Sequence, residues 1–580
     1  MEMIKGIVFI QSGTFNDYGG WALDQQFMDQ MGSSYLIAHG LGKAVKDATT
    51  TVSFPEAGEY KVWARTKDWV APWKAPGAPG KFQVLVDGKA VETVFGTEGA
   101  NWHWQEGGTV EIKNKNARIS LHDLTGFDGR CDAIVFSSDA KFAPPEEPDE
   151  LAVFRKKAQG LPENPEDVGT YDLVVVGGGI AGECAAISGA RSGLKVAFVH
   201  DRPVLGGNNS SEVRVHLGGR VNLSPYPKLG NIVNEIGPVK QGNAQPAGTY
   251  EDAKKLKAVA KEKKISLYLN VHATGVEKEG DRISAVIGKD IRTGRELRFK
   301  APLFVDCTGD GSVGFLAGAE FRMGREGREE TGETIAPEKG DKMTMGSSVQ
   351  WYSEKRSGPV QFPECPWAVQ FNEDTVQKVD MGEWDWETGM NRDQISEFEF
   401  VRDYGLRVVY GNWAYLKNKY SDRAKFADND LSWVAYVAGK RESRRLLGDV
   451  ILCQQDIEGA KAFPDACVVT TWTIDLHYPE AKNSKDFPGQ EFRSIAKHVK
   501  INPYPIPYRT LYSRNVENLF MAGRNISVTH VALGTVRVMR TTGMMGEVIG
   551  MAAALCMKNK TTPRGVYEKY RMELIGMMKK

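Results

Sequence analysis

Over the first 142 positions apolar and polar residues trade places every second residue. Tyr60, Val62 and Ala64 alternate with Lys61, Trp63 and Arg65, and Phe82, Val84 and Val86 lead into an Asp87–Gly88 turn. Val110 and Ile112, then Ile119 and Leu121, repeat the pattern. A period of two belongs to strands with one buried face, and short strands at this spacing predict a β-sandwich over residues 1–142. Residues 143–169 are rich in proline and acid (Pro144, Pro145, Pro148, Pro162, Pro165). That composition disfavours long regular elements and reads as a linker. From Tyr171 the pattern changes to an unbroken apolar run, Leu173 to Val176, of the kind buried on both faces in a parallel sheet. Helical spacing from Glu183 to Ser192 and a second apolar strand, Lys195 to Val199, complete a βαβ unit. Strands are predicted again at Leu267–Val276, Arg282–Val286 and Leu297–Pro302, and an apolar helix after Gly543.

Composition narrows the class. A chain of 580 residues has room for roughly three to five domains and a large core. Lys plus Arg number 74, as do Asp plus Glu, so the formal charge is zero and nothing favours a nucleic-acid partner. Seven scattered cysteines include no CxxC pair, so neither a zinc site nor a redox dithiol is expected, and no metal is assigned. No apolar stretch is long enough to span a bilayer. The chain as written reads as soluble and cytoplasmic; a removed signal peptide would make it periplasmic.

The chemistry concentrates where the first apolar strand ends. Gly177-Gly178-Gly179-Ile180-Ala181-Gly182 is a GxGxxG turn between strand and helix. Gly177 permits the tight turn, Gly179 lets backbone N–H groups approach a pyrophosphate, and Gly182 allows close helix packing. The carboxylate that usually ends the second strand and binds ribose is replaced by His200, with Asp201 one residue on. Either Asp201 reaches the ribose from a shifted register or His200 makes a weaker hydrogen bond. A Gly206-Gly207-Asn208 step then brings backbone close to a bulky planar ligand.

The run Val174 to Arg214 resembles the FAD-dependent oxidoreductases of the glutathione-reductase-like superfamily. Leu303-Phe-Val-Asp-Cys-Thr308-Gly309-Asp310-Gly311 resembles that family's second fingerprint, after a β-meander. Asn518 to Arg524, with Val531 to Gly543, resembles the third. The motif Asp201-Arg202-Pro-Val-Leu-Gly-Gly-Asn208 is similar to a bacterial group found beside polysaccharide-degrading enzymes, some labelled xanthan lyase and some preceded by a golvesin-type or carbohydrate-binding sandwich. The flavin fingerprints make that label genomic company rather than chemistry. The resemblance implies FAD as cofactor. It is held by Gly177, Gly179, Ile180, Ala181 and Gly182; by His200, Asp201 and Arg202; by Gly206, Gly207, Asn208, Ser211 and Arg214; by His272, Thr308 and Gly309; and by Gly523, Arg524, Gly534, Thr535 and Val536. The implied fold is multidomain: an N-terminal β-sandwich, then an α/β Rossmann-like FAD-binding domain of glutathione-reductase type with an α+β substrate domain. The segments are 1–142 sandwich, 143–169 linker, 170–325 first FAD part with meander, 326–500 substrate cap and 501–580 second FAD part.

An FAD enzyme must supply substrate orientation and a base. His530 stands between the third fingerprint and the last helix, which the resemblance puts beside the flavin; it is either the base or a flavin hydrogen-bond donor or cap. Asp475 and His477 share one face of an alternating strand, and either orient a catalytic imidazole or satisfy each other. Tyr504, in Pro503-Tyr-Pro-Ile-Pro-Tyr508, either contacts a hydroxyl-rich substrate or packs a loop. The leading expectation is oxidation of a secondary hydroxyl of a sugar or glycoside, by hydride transfer to flavin N5 with a histidine base. One alternative is a redox-neutral or reductive conversion of a keto or unsaturated sugar; another is a glycan-binding protein with a structural flavin domain. Six tryptophans in the sandwich (21, 63, 69, 73, 102, 104) leave open a polysaccharide contact there, against plain core packing. Electron acceptor and homo-oligomerisation stay open.

Overall fold

The computed structural model describes residues 4–580. Residues up to Ser137 build two four-stranded antiparallel sheets and a smaller three-stranded one. One large sheet orders strands Ile7–Gln11, Ala133–Ser137, Gly58–Thr66 and His103–Ile112; the other orders Ala48–Ser53, Asn116–Asp123, Phe82–Val86 and Lys89–Ala90. Their alternating residues meet in one core, with Tyr60, Val62, Ala64, Val84, Ile119 and Leu121 all buried.

The stretch 143–169 departs from the linker expectation. Pro148 opens an 11-residue helix, Pro148–Ala158. Proline suits the first helical turn, where its missing N–H costs nothing, and Asp149 and Glu150 at that end with Arg155, Lys156 and Lys157 at the other match the helix dipole. Leu151, Phe154 and Ala158 pack on Trp104, Ala133 and Val135, the outer face of the first sheet. Strand Glu166–Thr170 then pairs in parallel with Glu296–Lys300.

A five-stranded parallel sheet follows, in the order Ile265–Leu269, Val196–His200, Leu173–Val176, Leu303–Asp306, Leu519–Met521. The segment read as one strand from Leu267 to Val276 is two. Asn270 at φ 61 turns the chain, so that Ile265–Leu269 joins the parallel sheet while Val271–Glu279 begins the antiparallel meander; asparagine is among the few residues that tolerate this conformation. Helix Ile180–Arg191 is crossed closely by Met539–Asn559. A Cβ on Gly546 would lie 2.1 Å from the Ala181 carbonyl oxygen and one on Gly550 2.5 Å from the Gly189 amide, so only glycine permits this approach.

The cap, around the 21-residue helix Phe398–Asn418, does not stand apart from the N-terminal sheets. Phe27, Tyr35, Ile37, Trp69 and Phe127 share a core with Trp351, Trp367, Trp386, Tyr410 and Trp413. Fully buried Arg130 meets Asp403 at 2.9 Å and Glu399 at 3.1 Å, and fully buried Arg402 meets Asp24 at 2.7 Å. Residues on the two sides of position 142 therefore share one core. Among the described residues, no helix is long and apolar enough to cross a membrane.

Candidate cofactor and active site

One cavity of about 440 Å³ runs along the carboxyl ends of the parallel strands and under the cap. Its floor is the glycine turn. Gly177 takes φ 105, and a Cβ there would lie 2.2 Å from the Cys307 carbonyl oxygen, so the turn presses against the end of the fourth strand in chain order. Helix Ile180–Arg191 starts here with its first amides unpaired within the helix, a ready anion site. Gly206 and Gly207 interlock with the turn, Gly206 donating its N–H to the Gly178 carbonyl at 2.8 Å.

Of the residues expected around a cofactor, Gly177, Gly179, Ile180, Ala181, His200, Asp201, Arg202, Gly206, Gly207, Asn208, His272, Thr308, Gly309, Gly523 and Arg524 line this cavity. Six do not. Gly182 lies behind the turn, where a Cβ would meet the Gly177 carbonyl at 1.8 Å. Ser211 is turned to Asp252, and the Arg214 guanidinium lies 3.9 Å from the Trp433 ring centroid in the cap. Gly534, Thr535 and Val536 belong to a separate short helix, His530–Val536; Thr535 Oγ1 donates to the Trp472 carbonyl at 2.6 Å. The helix that points at the cavity begins three residues after Val536, at Met539, and Arg537, Val538, Met539 and Thr542 line it instead.

At the end by the second strand, His200 is spent within the protein: Nδ1 accepts from the Gly178 amide at 2.9 Å and Nε2 donates to the Val204 carbonyl at 3.0 Å. Burial pushes its pKa down to about 4, so the ring is neutral. Asp201 is the carboxylate there, 3.2 Å from His272. Burial disfavours charge on His272, but hydrogen bonds to Asp201 and Asp29 outweigh it and raise the pKa to about 10. Asp29 comes from the short helix Met28–Met31 of the N-terminal unit, and Gln25 and Gln26, on the same wall, from the turn just before it. No motif announces these three, some 150 residues ahead of the glycine turn. Further along, Asp310 receives Lys440 at 2.7 Å and Arg524 at 2.8 Å, and these charges, against the cost of burial, hold its carboxyl well below the usual range.

At the far end, His477 Nδ1 lies 2.6 Å from the buried Glu387 carboxylate, which also accepts from Ser494 Oγ at 2.7 Å. Burial works against ionising Glu387, yet Arg441 and His477 hold its pKa at about 2. His477 Nε2 lies 3.1 Å from Arg537 Nη2 and 3.5 Å from Asp475 Oδ1. Arg537 also donates to Asp475 Oδ2 at 3.2 Å, and Trp472 Nε1 donates to the same oxygen at 3.1 Å. The strand Ile474–Pro479 thus brings Asp475 and His477 together on the cavity wall with Arg441, Trp384 and His498. His530 and Tyr504 stand elsewhere. His530 is buried away from the cavity with Nδ1 2.9 Å from Glu442, and the Tyr504 hydroxyl donates to the Lys461 carbonyl at 2.9 Å. Each is turned by a partner distant in sequence, which periodicity does not reveal.

A family model described as FAD dependent oxidoreductase matches residues 172–574. The chain belongs to that family. FAD is therefore the cofactor of this oxidoreductase, and the cavity fits it. A Cβ on Gly179 would meet nothing nearer than Gly207 Cα at 3.9 Å, leaving the turn open to the cavity, and the buried Nε atoms of Arg524 and Arg537 have no partner among the described residues. Similarity to curated proteins is local. A soluble pyridine nucleotide transhydrogenase of Ectopseudomonas mendocina (strain ymp) is 58% identical over 38 residues, 7% of this chain and 8% of that protein. One from Azotobacter vinelandii (strain DJ / ATCC BAA-1303) gives the same figures. The chain thus spans under a tenth of these relatives' length. Among solved structures, Mycobacterium smegmatis Sdh1 in complex with UQ1 is 12% identical, with 68% of this chain and 69% of that chain covered and a TM-score of 0.30. A geranylgeranyl bacteriochlorophyll reductase-like protein from Thermoplasma acidophilum is 12% identical, with 71% and 84% covered and a TM-score of 0.30.

Proposed function

We propose that this FAD-dependent oxidoreductase oxidises a secondary hydroxyl of a sugar or glycoside, with His477 as the base. The supporting observation is the Glu387–His477–Arg537 arrangement on the cavity wall. A guanidinium only donates, so the Nε2 facing Arg537 accepts; Nδ1, facing a carboxylate, carries the proton. Glu387 thus fixes the tautomer whose Nε2 lone pair accepts from Arg537 and becomes the base for a substrate hydroxyl once Arg537 turns from the ring to the developing oxyanion. FAD, when bound, supplies the two-electron acceptor. His477 Nε2 takes the hydroxyl proton, while Arg537 and the amino end of helix Met539–Asn559 stabilise the negative charge that develops on oxygen. Trp384 and Trp472 offer flat walls to the C–H face of a sugar ring, and Arg441 and Asp475 offer donors and acceptors to its other hydroxyls.

In this reading the N-terminal sheets are a brace rather than a glycan tether. Trp21, Trp69 and Trp104 are buried and Trp63, Trp73 and Trp102 half-buried, Trp73 against Phe400 and Trp102 against Glu399 of the cap. Anaerobic titration of the holoprotein with a panel of sugars and glycosides tests the assignment. At least one is expected to bleach the flavin bands, and His477→Gln to slow bleaching by about 10²-fold or more while flavin content stays unchanged. A flavin that no hydroxylated sugar reduces, or a His477→Gln variant reduced at the wild-type rate, would sink it.

A further inference from the structure

The two nitrogens of His200 are committed to the glycine turn and to Val204, so the group standing in the usual ribose-binding place has nothing left to offer a ribose. Two carboxylates stand at this end on either side of one ring: His272 Nδ1 is 3.2 Å from Asp201 Oδ2, and His272 Nε2 is 2.8 Å from Asp29 Oδ1. Asp201 follows the second parallel strand; Asp29 lies in the N-terminal sheet unit, and both line the cavity.

We infer that Asp29 is a cofactor-positioning residue. With His272 and Asp201 it closes the adenosine end of the FAD cavity, so that FAD binding and the seating of the N-terminal unit reinforce each other. The inference rests on FAD occupying this cavity with its pyrophosphate at the glycine turn. Two carboxylates around one imidazolium leave a net negative charge, which accepts hydrogen bonds from free ribose hydroxyls and repels a phosphorylated ribose. The segment bearing Asp29 is held from behind. Gln26 Nε2 donates to the Tyr436 carbonyl at 2.9 Å, Gln26 Oε1 accepts from the Ala438 amide at 3.0 Å, and Asp24 pairs with buried Arg402 at 2.7 Å. Ala438, Gly439 and Lys440 in turn line the cavity. Loss of the cofactor therefore removes a partner from both sides of this seam, and by linkage any loosening of the seam weakens the cofactor's hold by the same factor.

The test uses the full chain carrying Asp29→Ala, with Asp29→Glu beside it. Release of FAD, followed by its fluorescence on dilution, is expected to quicken about tenfold or more in Asp29→Ala, with Asp29→Glu recovering part of the loss. The melting temperature of the apoprotein should fall only by what the lost Asp29–His272 pair contributes, less than that of the holoprotein, so that the increment added by FAD shrinks, and FAD should protect amides 24–38 from hydrogen exchange in wild type but not in Asp29→Ala. A release rate within about twofold of wild type, or an apoprotein destabilised as much as the holoprotein, would overturn the coupling and leave a plain structural ion pair. Wild-type chain that cannot be loaded with FAD would overturn the cofactor assignment itself, a distinct result.

Discussion

At the scale of single residues, Glu387 sets the hydrogen bonding at the His477 end of the cavity. It is wholly buried, yet it stays ionised because Arg441, His477 and Ser494 all face it. Replacing it by glutamine removes the charge that selects the His477 tautomer, and leaves Arg441 facing a neutral amide. Glu387→Gln is expected to lower the rate of flavin reduction by roughly 10²-fold with little change in FAD content, read by stopped-flow absorbance. His272 carries a pH signature. Its folded pKa of about 10 lies above the ordinary value near 6.5, so its stabilisation is complete below about pH 6.5 and is lost as pH climbs toward 10. Melting temperature should fall across that window, and the fall should be shallower in His272→Gln.

At the scale of elements, the contact between helices Ile180–Arg191 and Met539–Asn559 governs the phosphate end. Gly546 and Gly550 let them touch backbone to backbone, and Gly543 takes the Ile180 and Cys184 side chains against it. Gly546→Val would drive a side chain into the Ala181 carbonyl, displace the start of the glycine-turn helix and cost about 2 kcal/mol or more, visible in denaturant midpoint and FAD retention together. The elements themselves were largely legible. Leu173–Val176, the glycine turn and its helix announced themselves because apolar periodicity and glycine spacing are local signals. The helix Pro148–Ala158 was hidden by its own prolines and acids, which read as a breaker although Pro148 sits where proline starts helices. Gly534, Thr535 and Val536 were assigned to the cofactor because one apolar stretch holds two helices, His530–Val536 and Met539–Asn559, separated by Arg537 and Val538. His477 and Asp475 were readable from strand alternation. Glu387, Arg537 and Asp29 were not, since nothing in a pattern of local periods says which distant acid will face which ring.

At the scale of the whole molecule, the N-terminal unit and the segment 351–413 share one core. Phe27, Tyr35, Trp69 and Phe127 complete a core whose other half is Trp351, Trp367 and Trp413, and Arg130 and Arg402 are sealed between them with their carboxylates. That joint makes residues 1–142 unsuitable for excision, and it explains how a unit so far upstream reaches the cofactor cavity at all. The same joint sets a timetable for the ribosome. The front sheets emerge first but keep a bare aromatic flank until residues 351–413 have also been made. At roughly 5–20 residues per second that exposure lasts on the order of tens of seconds, during which the flank is open to unproductive contacts.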